Sequence, residues 1–158
     1  MGCSRLACAR QRGSRIAVLD KNHDSFFEIW FGVAKAKAVL VPVNWRLAAP
    51  EIAYLVSDAQ AEMLFVGSEY LGTLARIRDQ LTSVREVIVT DQDYPAWRDR
   101  QSATDPQLPT KGGDVCLQVT PAAPPAIPKA PRSPATIYCR CSRSSQPAAN
   151  GPSGGQRM

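Results

Sequence analysis

Acidic residues disappear from this sequence after Val119. From Thr120 to Met158 there is not one Asp or Glu, against five Lys/Arg and eight of the thirteen prolines. All fourteen acidic residues lie earlier, where they balance fourteen basic ones, so the formal charge of +5 belongs wholly to the tail. A basic chain ordinarily points to an anionic partner such as nucleic acid. Confining the excess to the tail excludes that reading for the rest. Only Tyr138 is interleaved with the tail arginines, too little for a stacking platform, so no specific nucleic-acid partner is expected.

Cysteine is equally uneven. The five cysteines are Cys3, Cys8, Cys116, Cys139 and Cys141, and none lies between Ala9 and Val115. A disulfide framework has to staple a core, so this pattern excludes one. Cys139-x-Cys141 has the wrong spacing for C-x-x-C chemistry, and the single histidine, His23, is far away. No metal site is expected. No apolar run is long enough to span a bilayer. The start MGCSRL lacks the apolar stretch of a signal peptide and has Leu6 where a myristoylation start wants Ser or Thr. The cytoplasm is therefore the expected compartment.

What is present, in a chain of 158 residues, is one α/β domain of small size over 14–119. An irregular start, 1–13, precedes it, and a Pro-rich tail, 120–158, follows. Ile16-Ala17-Val18-Leu19 is an apolar, β-prone run and predicts a buried strand. Asp24 or Ser25 is placed to cap a helix, with Glu28 in reach of its first turn. Phe26, Phe27, Trp30, Val33 and Ala34 recur at helical spacing and predict its buried face. Val39–Val43 predicts a second strand, in which Pro42 suits an end or an edge. Asn44–Leu47 is a turn. Pro50 and Glu51 suit a helix start, with Ile52, Leu55 and Val56 facing inward.

Ala61–Gly67 predicts a third strand, Ser68–Leu81 a helix burying Leu71, Leu74 and Ile77, and Arg85–Thr90 a fourth strand. Asp91–Gly113 is a polar connection with one helical turn near Trp97. Asp114–Val119 begins a fifth strand. Strands alternating with helices, and strands apolar throughout rather than on alternate residues, predict an α/β fold. Its sheet is partial and mostly parallel, with flanking helices. The acid-free, Pro-rich tail predicts disorder.

No catalytic residue emerges. His23 stands at a strand-to-helix turn, where a helix-start or surface role outweighs general-base work. Asp24 and Ser25 beside it invite a triad, but sequence neighbours rarely form one, and capping accounts for them better. Phe26, Phe27 and Trp30 are expected in the core rather than in a ligand box. Cys116, on a strand, is expected as a small buried hydrophobe. Pro124–Pro128 resembles a P-x-x-P groove ligand, with a disordered by-product as the plainer reading.

The stretch RIAVLDKNHDSFFEIWFGVAKAKAVLVPVNWRLAAPEIAYLVSDAQAEMLFVG closely resembles the N-terminal portion of AMP-forming acyl-CoA synthetases, within the adenylating-enzyme superfamily. VPVNWRLAAPEIAYLVSDA is its most specific part. A looser likeness runs through REVIVTD, DYPAW and ATDP to GDVCLQV. The resemblance implies a synthetase that activates a carboxylic or fatty acid with ATP and Mg2+ to an acyl-adenylate, then transfers the acyl group to coenzyme A. It implies that Trp45 and Arg46 could contact a neighbouring subdomain in a whole synthetase, which would leave them partly exposed in this chain. It also marks a departure: where the family usually has glycine at the end of a helix, this chain has Lys37. A left-handed lysine would cost about 1 kcal/mol.

In the family, the strand aligned with Asp114–Val119 runs into the phosphate-gripping loop YTSGTTG-x-PKG, whose backbone N–H groups approach ATP. Here the residues are VTPAAPPAIPKAPRS, and the loop is missing. The genetic code offers a reason. Val119 to Pro131 is encoded by GTN ACN CCN GCN GCN CCN CCN GCN ATH CCN AAR GCN CCN. Starting from the third base of the Val119 codon, the triplets become NAC NCC NGC NGC NCC NCC NGC NAT HCC NAA RGC NCC. These can encode Tyr-Thr-Ser-Gly-Thr-Thr-Gly-x-Pro-Lys-Gly-Ala, the missing motif in register. The tail is thus expected to be a shifted reading of a synthetase gene, with a genuine Pro-rich linker as the alternative. Lys129 owes its place to that shift and inherits no role.

Two functions remain in competition. One is an inactive fragment of an acyl-CoA synthetase. The other is a stand-alone α/β binding or interaction module without catalysis. The chain itself is expected to bind no cofactor, because the phosphate loop is absent after Val119.

Overall fold

A computed structural model of the chain describes residues 13–102, 108–109 and 114–119, together with the backbone of 137–140. Its strands are β1 (Arg15–Leu19), β2 (Val39–Val43), β3 (Met63–Val66), β4 (Glu86–Val89), β5 (Val115–Val119) and β6 (Ile137–Arg140). Its helices are α1 (Asp24–Lys35), α2 (Ala49–Asp58), α3 (Leu71–Ile77) and α4 (Tyr94–Asp99). The strands form one sheet in the order β4-β3-β1-β2-β5-β6. The first five run parallel, and β6 lies antiparallel on β5. This is the partial, mostly parallel sheet that the alternation of elements predicts.

The strand order decides which face each helix covers. The chain moves one way from β1 to β2, then reverses across β1 to reach β3 and continues to β4. Right-handed crossovers place helices on opposite faces when the direction reverses. Accordingly, Ile29 and Val33 of α1 and Tyr94 of α4 pack on Ile16, Val18, Leu40, Met63 and Phe65. On the other face, Ile52, Leu55 and Val56 of α2 and Leu74 and Ile77 of α3 pack on Ala17, Leu19, Val41, Leu64 and Val66. β1, β2 and β3 are buried from both sides, which is why they are apolar without alternation.

Four local expectations are corrected. The α1 face toward the sheet buries Ile29 and Val33, with Phe26 and Trp30 packed against them; Phe27, expected in that face, is 51% exposed, and Phe31 62%. A helix meets a sheet along a narrow stripe, and Phe27 falls outside it. The N-cap is His23, in extended conformation and with no side-chain cap bond; Asp24 already lies in the first turn. The segment Ser68–Leu81 is not one helix. It consists of α3 between two 3-10 turns, Ser68–Tyr70 and Arg78–Gln80, and Leu71 is 37% exposed. Pro42 lies in a strand flanked by β1 and β5, yet the registered pairing of β2 with β5 is confined to Leu40↔Leu117. Beyond it no donor is required of Pro42 on that side.

Other expectations hold. Ile52, Leu55 and Val56 are buried, and the short helix around Trp97 is α4. Of the start expected to be irregular, 1–13, all but Gly13 lies outside the described residues. So does most of the tail, 120–158, expected to be disordered; that expectation is corrected at 137–140, where the backbone forms β6 against β5. Ile-Tyr is a β-prone pair, and β5 offers it an open edge.

Candidate functional site

In an open parallel sheet, ligands settle beyond the carboxyl ends of the strands, where the strand order reverses. That point here is the end of β1, flanked by β2 and β3. Asp20, the next residue after β1, organises it. One carboxylate oxygen accepts the Lys21 N–H at 2.7 Å; the other lies 2.8 Å from His23 Nε2 and accepts the Thr90 hydroxyl. The first residues past β1 and β4 and the cap of α1 are thereby joined. Gly67, after β3, leaves the space that Asp20 occupies, for a Cβ there would lie 2.5 Å from Asp20 Oδ1. Its φ is an ordinary −69°, so the demand is for room rather than for an unusual backbone.

Beside this hub, Asp91 accepts from the Ser68 N–H at 3.0 Å and from its hydroxyl. The Ser68 hydroxyl holds the Asp91 carboxyl below its usual range. Lys21 Nζ lies 2.6 Å from Glu69 Oε2, which raises the lysine above its usual value. These groups line a cleft of about 570 Å³ that includes Asp20, His23, Ser68, Thr90 and Asp91. A second cleft, about 480 Å³, shares Asp20 and Asn22 and lies toward β2 and β5; Phe26, Val43, Arg46, Leu55 and Val119 line it. Asn44 Oδ1 accepts the Arg46 N–H at 3.0 Å, the side-chain-capped turn that Asn favours. The Arg46 guanidinium lies 3.9 Å from the centre of the Trp45 ring, and Lys21 5.6 Å from it. Burial pushes the Tyr70 hydroxyl up, and its ring lies 6.3 Å from Trp45.

This arrangement ties the ends of β1, β3 and β4 together through the Asp20 and Asp91 carboxylates. His23 is at the surface, with its Nε2 2.8 Å from Asp20 Oδ2. Asp24 and Ser25 form no triad with it. Cys116 is partly exposed rather than buried. Among the described residues no group of His, Cys, Asp and Glu is arranged to hold a metal ion, and no helix is long and apolar enough to cross a membrane.

A nucleotide's phosphates need convergent donors. The Ser68 and Thr90 hydroxyls are turned to carboxylates, and Lys21 is paired. Asp20, Glu69 and Asp91 make the rim acidic. The residues after Val119, where β5 opens toward the cleft, are Thr-Pro-Ala-Ala-Pro-Pro, with no glycine. The described residues therefore do not fit the phosphates of ATP. Sequence reasoning missed Asp20, Gly67 and Thr90; the signal available was that each stands at the carboxyl end of a predicted strand.

Fold and crevice define an α/β domain of the doubly flanked parallel-sheet class, with its cleft at the carboxyl edge. Comparison narrows this to a family. The model of the family described as AMP-binding enzyme matches residues 5–138, and the chain belongs to that family. It is 36% identical over 106 residues to the long-chain-fatty-acid–CoA ligase FadD13 of Mycobacterium tuberculosis, covering 65% of this chain and 21% of the relative. It is 34% identical over 95 residues to the fatty acid–[acyl-carrier-protein] ligase ScoC of Streptomyces coeruleorubidus, covering 60% of this chain and 18% of the relative. The solved structure of a Mycobacterium tuberculosis fatty acyl CoA synthetase superposes with a TM-score of 0.73 at 25% identity, covering 87% of this chain and 26% of that one. The chain thus spans about a fifth of the length of these curated relatives.

Proposed function

We propose that this chain is the N-terminal part of an ATP-dependent acyl-CoA synthetase and that it does not turn over by itself. In the whole enzyme the acid, of carboxylic or fatty type, would be activated with ATP and Mg2+ and passed to CoA in the cytoplasm. Family membership supports the class, and the fatty-acid ligases among its relatives support the acid. The observation that carries the inactivity is the end of β5. The strand delivers Val119 to the cleft, and the codons that encode the following residues can spell YTSGTTG-x-PKG when read shifted by one base. The missing phosphate loop is then a consequence of reading frame. The stand-alone binding module gains no support from the site, because the hydrogen bonds there are internal.

The test is acid-dependent exchange of pyrophosphate into ATP, with a panel of fatty and aromatic acids. The purified chain is expected to give none. Expression of the gene with the frame restored after Val119 is expected to give exchange with at least one acid. Exchange by the unaltered chain would overturn the proposal.

A further inference from the structure

β5 has no short connection to the strand it joins. β4 lies at one border of the sheet, and the chain must cross β3, β1 and β2 to place β5 beyond β2. Its registered pairing with β2 is the single pair Leu40↔Leu117. Side chains supply further ties. Arg15 Nε donates to Gln118 Oε1 at 3.0 Å, and Gln118 is 4% exposed. At the other end, Lys37 Nζ lies 3.2 Å from Asp114 Oδ2, the residue immediately before β5.

Lys37 is a costly residue for its position. It follows α1 with φ +58°, the left-handed region that suits glycine. A glycine there would remove the strain but has no side chain. The Lys37 side chain is 7% exposed, so a long cation has been buried in a corner that the backbone makes unfavourable for it. A lone buried ammonium is expensive, and a charged hydrogen-bond partner offsets that.

We propose that Lys37 is a latch. Its ammonium fixes the amino end of β5 to the α1–β2 corner, and with Arg15–Gln118 it sets how far β5 projects toward the cleft. If the chain is the synthetase part proposed above, this is the strand from which the family's phosphate loop departs, so in the frame-restored chain Lys37 would be a positioning residue for that loop. The latch itself requires only the fold.

Hydrogen exchange of the backbone amides, measured on the full chain, tests it. Lys37→Met keeps the strained residue and its stem but removes the charge; Asp114→Asn neutralises the carboxylate it faces. Each is expected to speed exchange at Val115–Leu117 about tenfold, the loss of one charged hydrogen bond, while the β1 and β3 amides keep their rates. The double variant is expected to resemble either single one. Lys37→Gly separates latch from strain: β5 should still exchange faster although the left-handed cost is gone. Equal acceleration in all strands, or unchanged β5 rates in both Lys37→Met and Asp114→Asn, would overturn the latch. Since no readout involves turnover, failure here is distinct from failure of the synthetase reading.

Discussion

Asp20 and Gly67 are complementary in shape: a single carbon added at Gly67 would lie 2.5 Å from Asp20 Oδ1 and 2.8 Å from its carboxyl carbon. The carboxylate cannot retreat without leaving Thr90 and His23. Gly67→Ala is therefore expected to destabilise the domain by about 1–3 kcal/mol, the range for overpacking a well-filled site. Urea denaturation of Gly67→Ala, Asp20→Ala and the double variant checks the cause. With Asp20 shortened, the added methyl should cost much less, so the two effects should not add. Strict additivity would place the cost elsewhere.

Stability should fall at both ends of the pH scale, for separate reasons. Asp91 has a lowered pKa in the folded chain, chiefly through the Ser68 hydroxyl. Its contribution is complete above the ordinary value of 3.8 and disappears as pH falls below it toward the folded value. Ser68→Ala should flatten that acid limb. Tyr94 shifts the other way: burial, then the Glu28 carboxylate 3.1 Å from its hydroxyl, pushes it well up. Its contribution is present below the ordinary value of 10.0 and is lost as pH rises beyond it. Tyr94→Phe should remove this alkaline limb. Thermal unfolding across pH measures both.

Burial of the apolar strands was legible in the sequence because a doubly covered parallel strand has no polar face, and Ile16–Leu19 shows none. The left-handed corner at Lys37 was also legible, through the family's preference for glycine there. The stripe of α1 was not. Phe26, Phe27, Trp30 and Phe31 are all strongly apolar, and hydrophobicity alone cannot tell which of them meets the sheet and which faces outward. The Asp20 hub escaped because its members, Asp20, Gly67, Thr90 and His23, come from separate segments and meet only once the strands are ordered. Gln60, left-handed with φ +50° after α2, carried no glycine or asparagine to announce it.

The outward aromatic ridge has its own consequence. Trp30 and Phe31 are stacked at 6.2 Å, and Phe27 and Phe31 are the most exposed large apolar side chains among the described residues. Exposed apolar patches promote association. Phe27→Gln with Phe31→Gln is expected to lower concentration-dependent self-association in sedimentation velocity. Unfolding free energy should stay within about 0.5 kcal/mol, as for surface positions generally. A large loss of stability would show that these rings are buried in solution.

The proposed loss of the phosphate loop depends above all on the reading frame at the end of β5. The decisive measurement is the nucleotide sequence from the Thr110 codon through the region downstream of the Met158 codon, on independent clones. The account predicts that shifting the frame by one base at Val119 opens YTSGTTG-x-PKG followed by a long synthetase continuation. A shifted frame that fails to encode that motif, or that stops soon after it, would contradict the account and make the Pro-rich tail a genuine part of the protein.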